Sequence, residues 1–296
     1  MEAEFLRWLK TTLQSQTKTQ PGIGDDCSTM ELDSDKVSVI TTDALIDQVH
    51  FNADTDSLEQ IGWKALAVNL SDIAAMGASP SYAVVSLIAP KNYSIGDLQT
   101  LYQGLFKLAN QTGTQIIGGD FNTHLGPLTI SVTAIGQAKR TELRYRFTTQ
   151  AADRIFVTGP LGRSILGHHL RFHPRITEGR ILANCSDVHS VTDVTDGLVV
   201  DLHSMLPDGL GAELIASQIP CRHPSNDFDS DLRHALFDGE DFELLFTLDP
   251  KADLGDLTSS LRGDIYEIGV VNQSHQISIQ HDNRPRQVLD IIGYEH

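Results

Sequence analysis

The 296 residues predict an α/β protein built as two domains. Three observations carry that expectation. Segments of helical and of strand periodicity alternate along the chain. Apolar runs repeatedly end in Gly- and Asp-rich turns, as strands feeding ligand-binding loops do. A single basic stretch, residues 139–146, breaks the composition near the middle, so the expected domains are 1–138 and 139–296. At this length each half can bury a core of its own.

Residues 37–42 read as a buried strand ending at Asp43. Residues 58–76 read as a helix, because Ile61, Ala65, Val68 and Ile73 recur on one face before Gly77. A strand over 82–88 stops at Pro90, and an amphipathic helix covers 95–111. A short strand, 114–117, leads into Gly118-Gly119-Asp120, and 128–135 alternates as another strand. In the second half the expected elements are a strand at 154–158 and a Gly/Pro turn at 159–162. Helices follow at about 163–170, 175–185 and 198–205, with Asp196-Gly197 capping the last. A strand at 243–248 follows the acidic turn 238–241, and one helix with two or three short strands completes the chain.

The formal charge of −17, from 39 acidic and 22 basic side chains, disfavours nonspecific binding to nucleic acid or anionic membrane. Neither kind of partner is expected. No apolar run approaches the ~20 residues of a membrane span. The N-terminus lacks the plan of a signal peptide. Three cysteines without a CxxC pair indicate neither a disulfide framework nor a zinc cluster. A cytoplasmic location fits best.

The informative residues are aspartates set beside apolar runs or Gly turns: Asp25-Asp26, Asp43, Asp72, Asp120, Asp193 and Asp196. Buried carboxylates are costly without cations, and few Lys or Arg lie nearby in sequence. Hard oxygen ligands select Mg2+, which commonly also holds substrate phosphates. Gly22-Ile23-Gly24-Asp25-Asp26 fails the dinucleotide fingerprint, and no GxxxxGK[ST] string is present. Read singly, most of these residues admit a plainer role: an exposed acidic turn for Asp25-Asp26, a turn cap for Asp43, an N-cap for Asp196. Asp72 is the sharpest, lying within an apolar run three residues after Asn69, on the same helical face. Arg140, Arg144 and Arg146 offer either a polyphosphate clamp or a solvated linker. His168, His169 and His173 read as structural, since no third ligand type is close.

Together these segments resemble the thiamine-monophosphate kinase family. It belongs to the superfamily of aminoimidazole-ribonucleotide synthetase, selenophosphate synthetase and the hydrogenase-maturation dehydratase. The matching strings are GIGDDC (22–27), TTDALIDQVHF (41–51), WKALAVNLSDIAAMGASP (63–80), IIGGD (116–120), VTGPLG (157–162), DVTDGLVVDL (193–202), GEDFELLF (239–246) and GYEH (293–296), in order over nearly the whole chain.

The resemblance implies an aminoimidazole-ribonucleotide-synthetase-like fold of two domains, with N-terminal sheets pairing across a homodimer. It implies transfer of the ATP γ-phosphoryl group to thiamine monophosphate, assisted by several Mg2+ ions. The implied metal ligands are Asp26, Thr41, Thr42, Asp43, Asp72, Asp120, Asp193 and Asp196. ATP contacts would come from Tyr102, Gly119, Asp120, Arg146 and Thr195, and substrate contacts from His50 and Glu240. Ile291 stands where the family offers the substrate an aromatic ring. Further departures are GGDF with Phe121, DGED with Asp238, and a short segment between Leu166 and Arg175. These bear on the thiamine pocket rather than on the metal ligands.

A phosphate acceptor is already ionised, so such a reaction needs charge neutralisation and alignment more than a strong base. A different ATP-using enzyme of the superfamily is the first competing reading. The N-terminal Cys and C-terminal Cys expected of two of its branches are missing. A regulatory protein without turnover is the second, and retention of so many costly aspartates argues against it.

Overall fold

The computed structural model describes residues 25–31, 35–261, 265–282 and 284–292. Gly22, Ile23, Gly24 and the tail 293–296 lie outside them. The first sheet contains β1 (Ser28–Glu31), β2 (Lys36–Ile46), β3 (Ser79–Pro90), β4 (Gln115–His124) and β5 (Thr129–Lys139) in the order β1-β2-β5-β3-β4. All neighbours are antiparallel except β3 and β4. Two helices pack on its inner face: α1 (Leu58–Ala75), N-capped by Ser57, and α2 (Ile95–Thr112), which opens with a Ser94/Asp97 capping box.

Helix α1 is buried on nearly every side, from Ile61 through Ala75. A helix apolar all round belongs inside a protein rather than on its surface. It lies against β2, β5 and α2, and on its remaining side it meets α3 (Ile176–Ala183) and β7 (Val188–Asp193) of the second half. Gly179 of α3 makes that docking close: a Cβ there would fall 2.0 Å from the Ala74 carbonyl oxygen.

The second sheet has seven strands in the order β12-β11-β8-β10-β6-β9-β7. Its remaining members are β6 (Arg154–Val157), β8 (Gly211–Ile215), β9 (Leu244–Leu248), β10 (Tyr266–Asn272), β11 (Ile277–His281) and β12 (Arg284–Val288). Helices α4 (Leu198–Met205), α5 (Phe228–Phe237) and α6 (Leu254–Ser260) complete this half. Its core is an apolar cluster including Ile155, Leu202, Leu214 and Ile268. Among the described residues no helix is long and apolar enough to cross a membrane.

Several expectations are corrected. β2 runs on to Ile46, so Asp43 sits within a strand, paired with Val132, and not at its end. β4 carries straight through Gly118-Gly119-Asp120, because parallel pairing with β3 continues to His124. Residues 163–170 form only a 3-10 turn, Ser164–Leu166, since Arg163 and Gly167 on either side adopt left-handed backbone. Strands β1, β7 and β8 and helix α5 are additions that the periodicity did not reveal.

Candidate active site

Asp26 precedes β1, Asp72 is in the last turn of α1, and Asp193 ends β7. One carboxylate oxygen from each lies within 4.8 Å of the other two. Thr41 and Asp43 project from the inner face of β2 toward them. The Thr41 hydroxyl donates to Asp72 Oδ2. Ser71 Oγ donates to Asp193 Oδ2 at 2.5 Å, and Thr192 Oγ1 to Asp26 Oδ1 at 3.1 Å. Arg146 Nη2 donates to Asp26 Oδ1, and its Nε lies 3.8 Å from Asp25 Oδ1.

One guanidinium among so many carboxylates leaves a local excess of negative charge. Burial, then the neighbouring Asp26, pushes the Asp193 carboxyl up to about 8. Burial raises Asp43 to about 6, and burial followed by Asp26 raises Asp25 to about 7. Asp72 is held well above the usual range by burial, then by Asp43, Asp193 and Asp26. Asp26 Oδ2 is buried with no hydrogen-bond partner. Three convergent carboxylate groups, one of which keeps a buried oxygen without any hydrogen-bond partner, suit a hard divalent cation. The donor set is all oxygen and lacks the thiolate or imidazole that a softer metal prefers.

The cluster opens into a cavity of about 190 Å³ between the two halves. Asp43, Asp72, Thr195 and Asp196 line it together with His50, Val68, Glu240 and Phe242. Asp196 does not cap α4: Gly197 occupies that position. The buried Asp201 instead accepts from the Thr195 and Asp196 amides, at 2.9 and 3.0 Å, and so fixes the loop that carries both residues. The Ile46 amide donates to His50 Nδ1 at 3.0 Å, which leaves Nε2 as the protonated nitrogen.

The facing segment is strained. Gly239, Glu240 and Phe242 all have φ between 53° and 72°. Hydrogen bonds from Glu240 N to Thr195 O (2.8 Å) and from Phe242 N to Val194 O (2.9 Å) hold it in that shape. Left-handed backbone at non-glycine residues persists only where surroundings over-determine it, as here.

Other expected site residues lie elsewhere. Thr42 points to the outer face of the sheet, where its hydroxyl donates to Val132 O. Asp120 pairs with Ser86, Ser86 with Ser131 and Ser131 with Ala44, so β3 and β5 separate Asp120 from β2. Gly119 is required by packing, since a Cβ there would meet the Val85 carbonyl oxygen at 1.8 Å. Tyr102 is half-buried on α2 beside Phe106. Ile291 is half-exposed beyond β12 and does not line the cavity.

Of the three arginines, Arg146 alone reaches the acidic cluster. Arg144 donates to the carbonyls of Leu143 and Cys185, and Arg140 is exposed. His169 hydrogen-bonds the Ser164 carbonyl and His168 that of Asp241, as structural histidines do. Burial, then Arg222, lowers His168 to about 4. Lys64 was not singled out from the sequence, although a lysine within the apolar run 63–68 was a readable signal. It is fully buried and spans the two halves, donating to the His50 carbonyl at 2.5 Å and to Glu240 Oε1 at 2.6 Å.

Residues 24–138 match the family model for the AIR synthase related protein, N-terminal domain, and residues 135–282 that for its C-terminal domain. The thiamine-monophosphate kinase of Rhodopirellula baltica is 39% identical over 85% of this chain and 83% of its own length. The chain belongs to the thiamine-monophosphate kinase family. That of Escherichia coli is 33% identical, over 86% of this chain and 84% of its own. Among solved structures, AaThiL complexed with AMPPCP and TMP superposes with a TM-score of 0.80 at 25% identity, covering 96% of this chain and 95% of that one. The family's two-domain fold is the fold found here.

Proposed function

We propose that the protein transfers the γ-phosphoryl group of ATP to the phosphate of thiamine monophosphate, giving thiamine diphosphate and ADP. One observation carries the reading: a single cavity joins the carboxylates of Asp43 and Asp72 to His50 and Glu240 across the domain junction. Relatives named thiamine-monophosphate kinase and a related structure holding an ATP analogue and TMP support it.

An oxygen of the acceptor phosphate attacks the γ-phosphorus, the bond to the β-bridging oxygen breaks, and ADP leaves with that electron pair. The acceptor is already ionised, so no residue has to remove a proton. Magnesium, when bound, supplies neutralisation of the phosphates, and Asp26, Thr41, Asp43, Asp72 and Asp193 are the residues that would hold it. Asp196 stands at the cavity wall to extend that set. Arg146 and Thr195 flank the nucleotide side, and His50 and Glu240 the acceptor side.

Asp120 faces away from the cluster of its own chain, so a role for it in this chemistry calls for a second copy. Exposed Tyr82 and Val84 on the outer face of β3, with exposed Ile117 at the β4 bulge beside them, offer an apolar surface for such a copy. We therefore read the protein as a homodimer, with Thr42, Gly119 and Asp120 serving near that junction and Tyr102 on α2 at the opposite face of the sheet. Light scattering should report twice the chain mass, and a monomer that is fully active would contradict this. The domain change is placed at 138/139, supported by the end of β5 at Lys139. The described free cysteines suit a reducing cytoplasm.

The test is incubation with ATP, MgCl2 and thiamine monophosphate, followed by chromatography. Thiamine diphosphate formed mole for mole with ADP is expected; ADP without it would contradict the reading.

A further inference from the structure

Lys64, Val68 and Asp72 follow one another at four-residue spacing along α1, so they form one row on one face of the helix. Val68 and Asp72 line the cavity, with Asp72 at the acidic cluster. Lys64 lies two turns away, about 12 Å along the axis at the usual helical rise. Its ammonium is wholly buried and is shared between the two groups that flank the acceptor end. One is the carbonyl of His50, in the turn after β2; the other is the carboxylate of Glu240, in the strained loop of the second domain. Glu240 retains 22% side-chain exposure, and Lys64 none.

We propose that Lys64 is a positioning residue that sets Glu240 and the His50 turn at a fixed distance from the metal ligands, and so determines recognition of thiamine monophosphate. This rests on the proposed function. A buried lysine has to hold a carboxylate and a carbonyl to be tolerated. Here both partners lie where the acceptor enters, and neither is in the domain core. Because both lie on one continuous hydrogen-bonded helix, the distance between its two functional ends is set by the helical rise and not by loop packing. The Glu240 backbone is tied to Thr195 O and its side chain to Lys64, so its φ of 54° is held from both ends. Lys64 does not line the cavity, and among the described residues its hydrogen bonds go to these two partners.

The experiment measures kcat and KM for both substrates in the wild type, Lys64→Met, Glu240→Gln and the double variant. In Lys64→Met the KM for thiamine monophosphate should rise at least about tenfold while that for ATP stays within about twofold, because the lost contact serves one subsite. The same Lys64→Met change made in the Glu240→Gln background should cost less than about threefold, since the partner charge is already gone. The double variant also replaces a charged pair by neutral groups, a change often well tolerated in folding. Equal losses for both substrates, or additive effects of the two changes, would overturn the inference while leaving the kinase reading intact. A wild-type protein that makes no thiamine diphosphate would overturn both.

Discussion

Asp72 shows how one residue's environment decides its chemistry. Its carboxylate sits beside those of Asp26 and Asp193 and accepts the Thr41 hydroxyl, with Arg146 the cation paired to the group at Asp26. Asp72→Asn keeps shape and volume but removes a charge that its neighbours oppose. Turnover should fall by at least about a hundredfold if the carboxylate is a metal ligand, since such losses act on the transition state. The metal-free variant should melt no lower than the wild type, because like-charge repulsion is relieved. Steady-state rates with a melting curve check both, and near-normal turnover would remove Asp72 from the site. This residue was legible from sequence because an aspartate inside an apolar helix has no local justification. Lys64 was equally anomalous, but its meaning depends on Glu240, 176 residues away. Neither periodicity nor propensity reports such a pairing.

At the scale of elements, the loop between β7 and α4 follows Asp193 and carries Thr195 and Asp196, and its form depends on Asp201. That buried carboxylate returns from the first turn of α4 to accept two amides. Asp201→Ala would leave both without their partner and should cost about 1–3 kcal/mol of stability. Because Thr195 and Asp196 line the cavity, the KM for ATP should rise as well; an unchanged KM and melting temperature would contradict the assignment. The string DVTDGLVVDL announced an acidic turn and a helix, and the helix bounds were read correctly. The cap was legible in part: Gly197 is the N-cap, whereas Asp196 precedes it and its amide donates to Asp201. Likewise IIGGD suggested a strand ending in a turn, whereas pairing with β3 continues the strand to His124. Local glycine chemistry lost there to a tertiary partner. β7 and β8 escaped notice because strands of five or six residues, mostly buried, show no clear alternation.

Across the whole molecule, the acidic cluster joins residues from both halves around α1, so its charge acts on the stability of the full structure. In unfolded chains aspartates titrate near about 3.9. In the fold Asp43, Asp25 and Asp193 titrate near about 6, about 7 and about 8. Between those limits the folded state binds more protons, so stability falls as pH rises. In a chelating buffer the melting temperature should therefore drop from about pH 6 to about pH 8. Millimolar MgCl2 should reduce that drop by favouring the ionised carboxylates. A melting temperature indifferent to magnesium at the higher pH would count against a metal cluster. The two-domain α/β plan was visible in the sequence because helical and strand patterns alternate and one basic run breaks the composition near the middle. The apposition of His50 and Glu240 was not, as it arises only when α1 is clasped between the domains.

The central claim is a direct transfer between two phosphates, and ATP labelled in its γ-phosphate tests it most directly. With MgCl2 and thiamine monophosphate, the label should appear in the terminal phosphate of thiamine diphosphate, one for each ADP formed. Label released as inorganic phosphate with thiamine monophosphate unchanged, or label held on the protein, would contradict it.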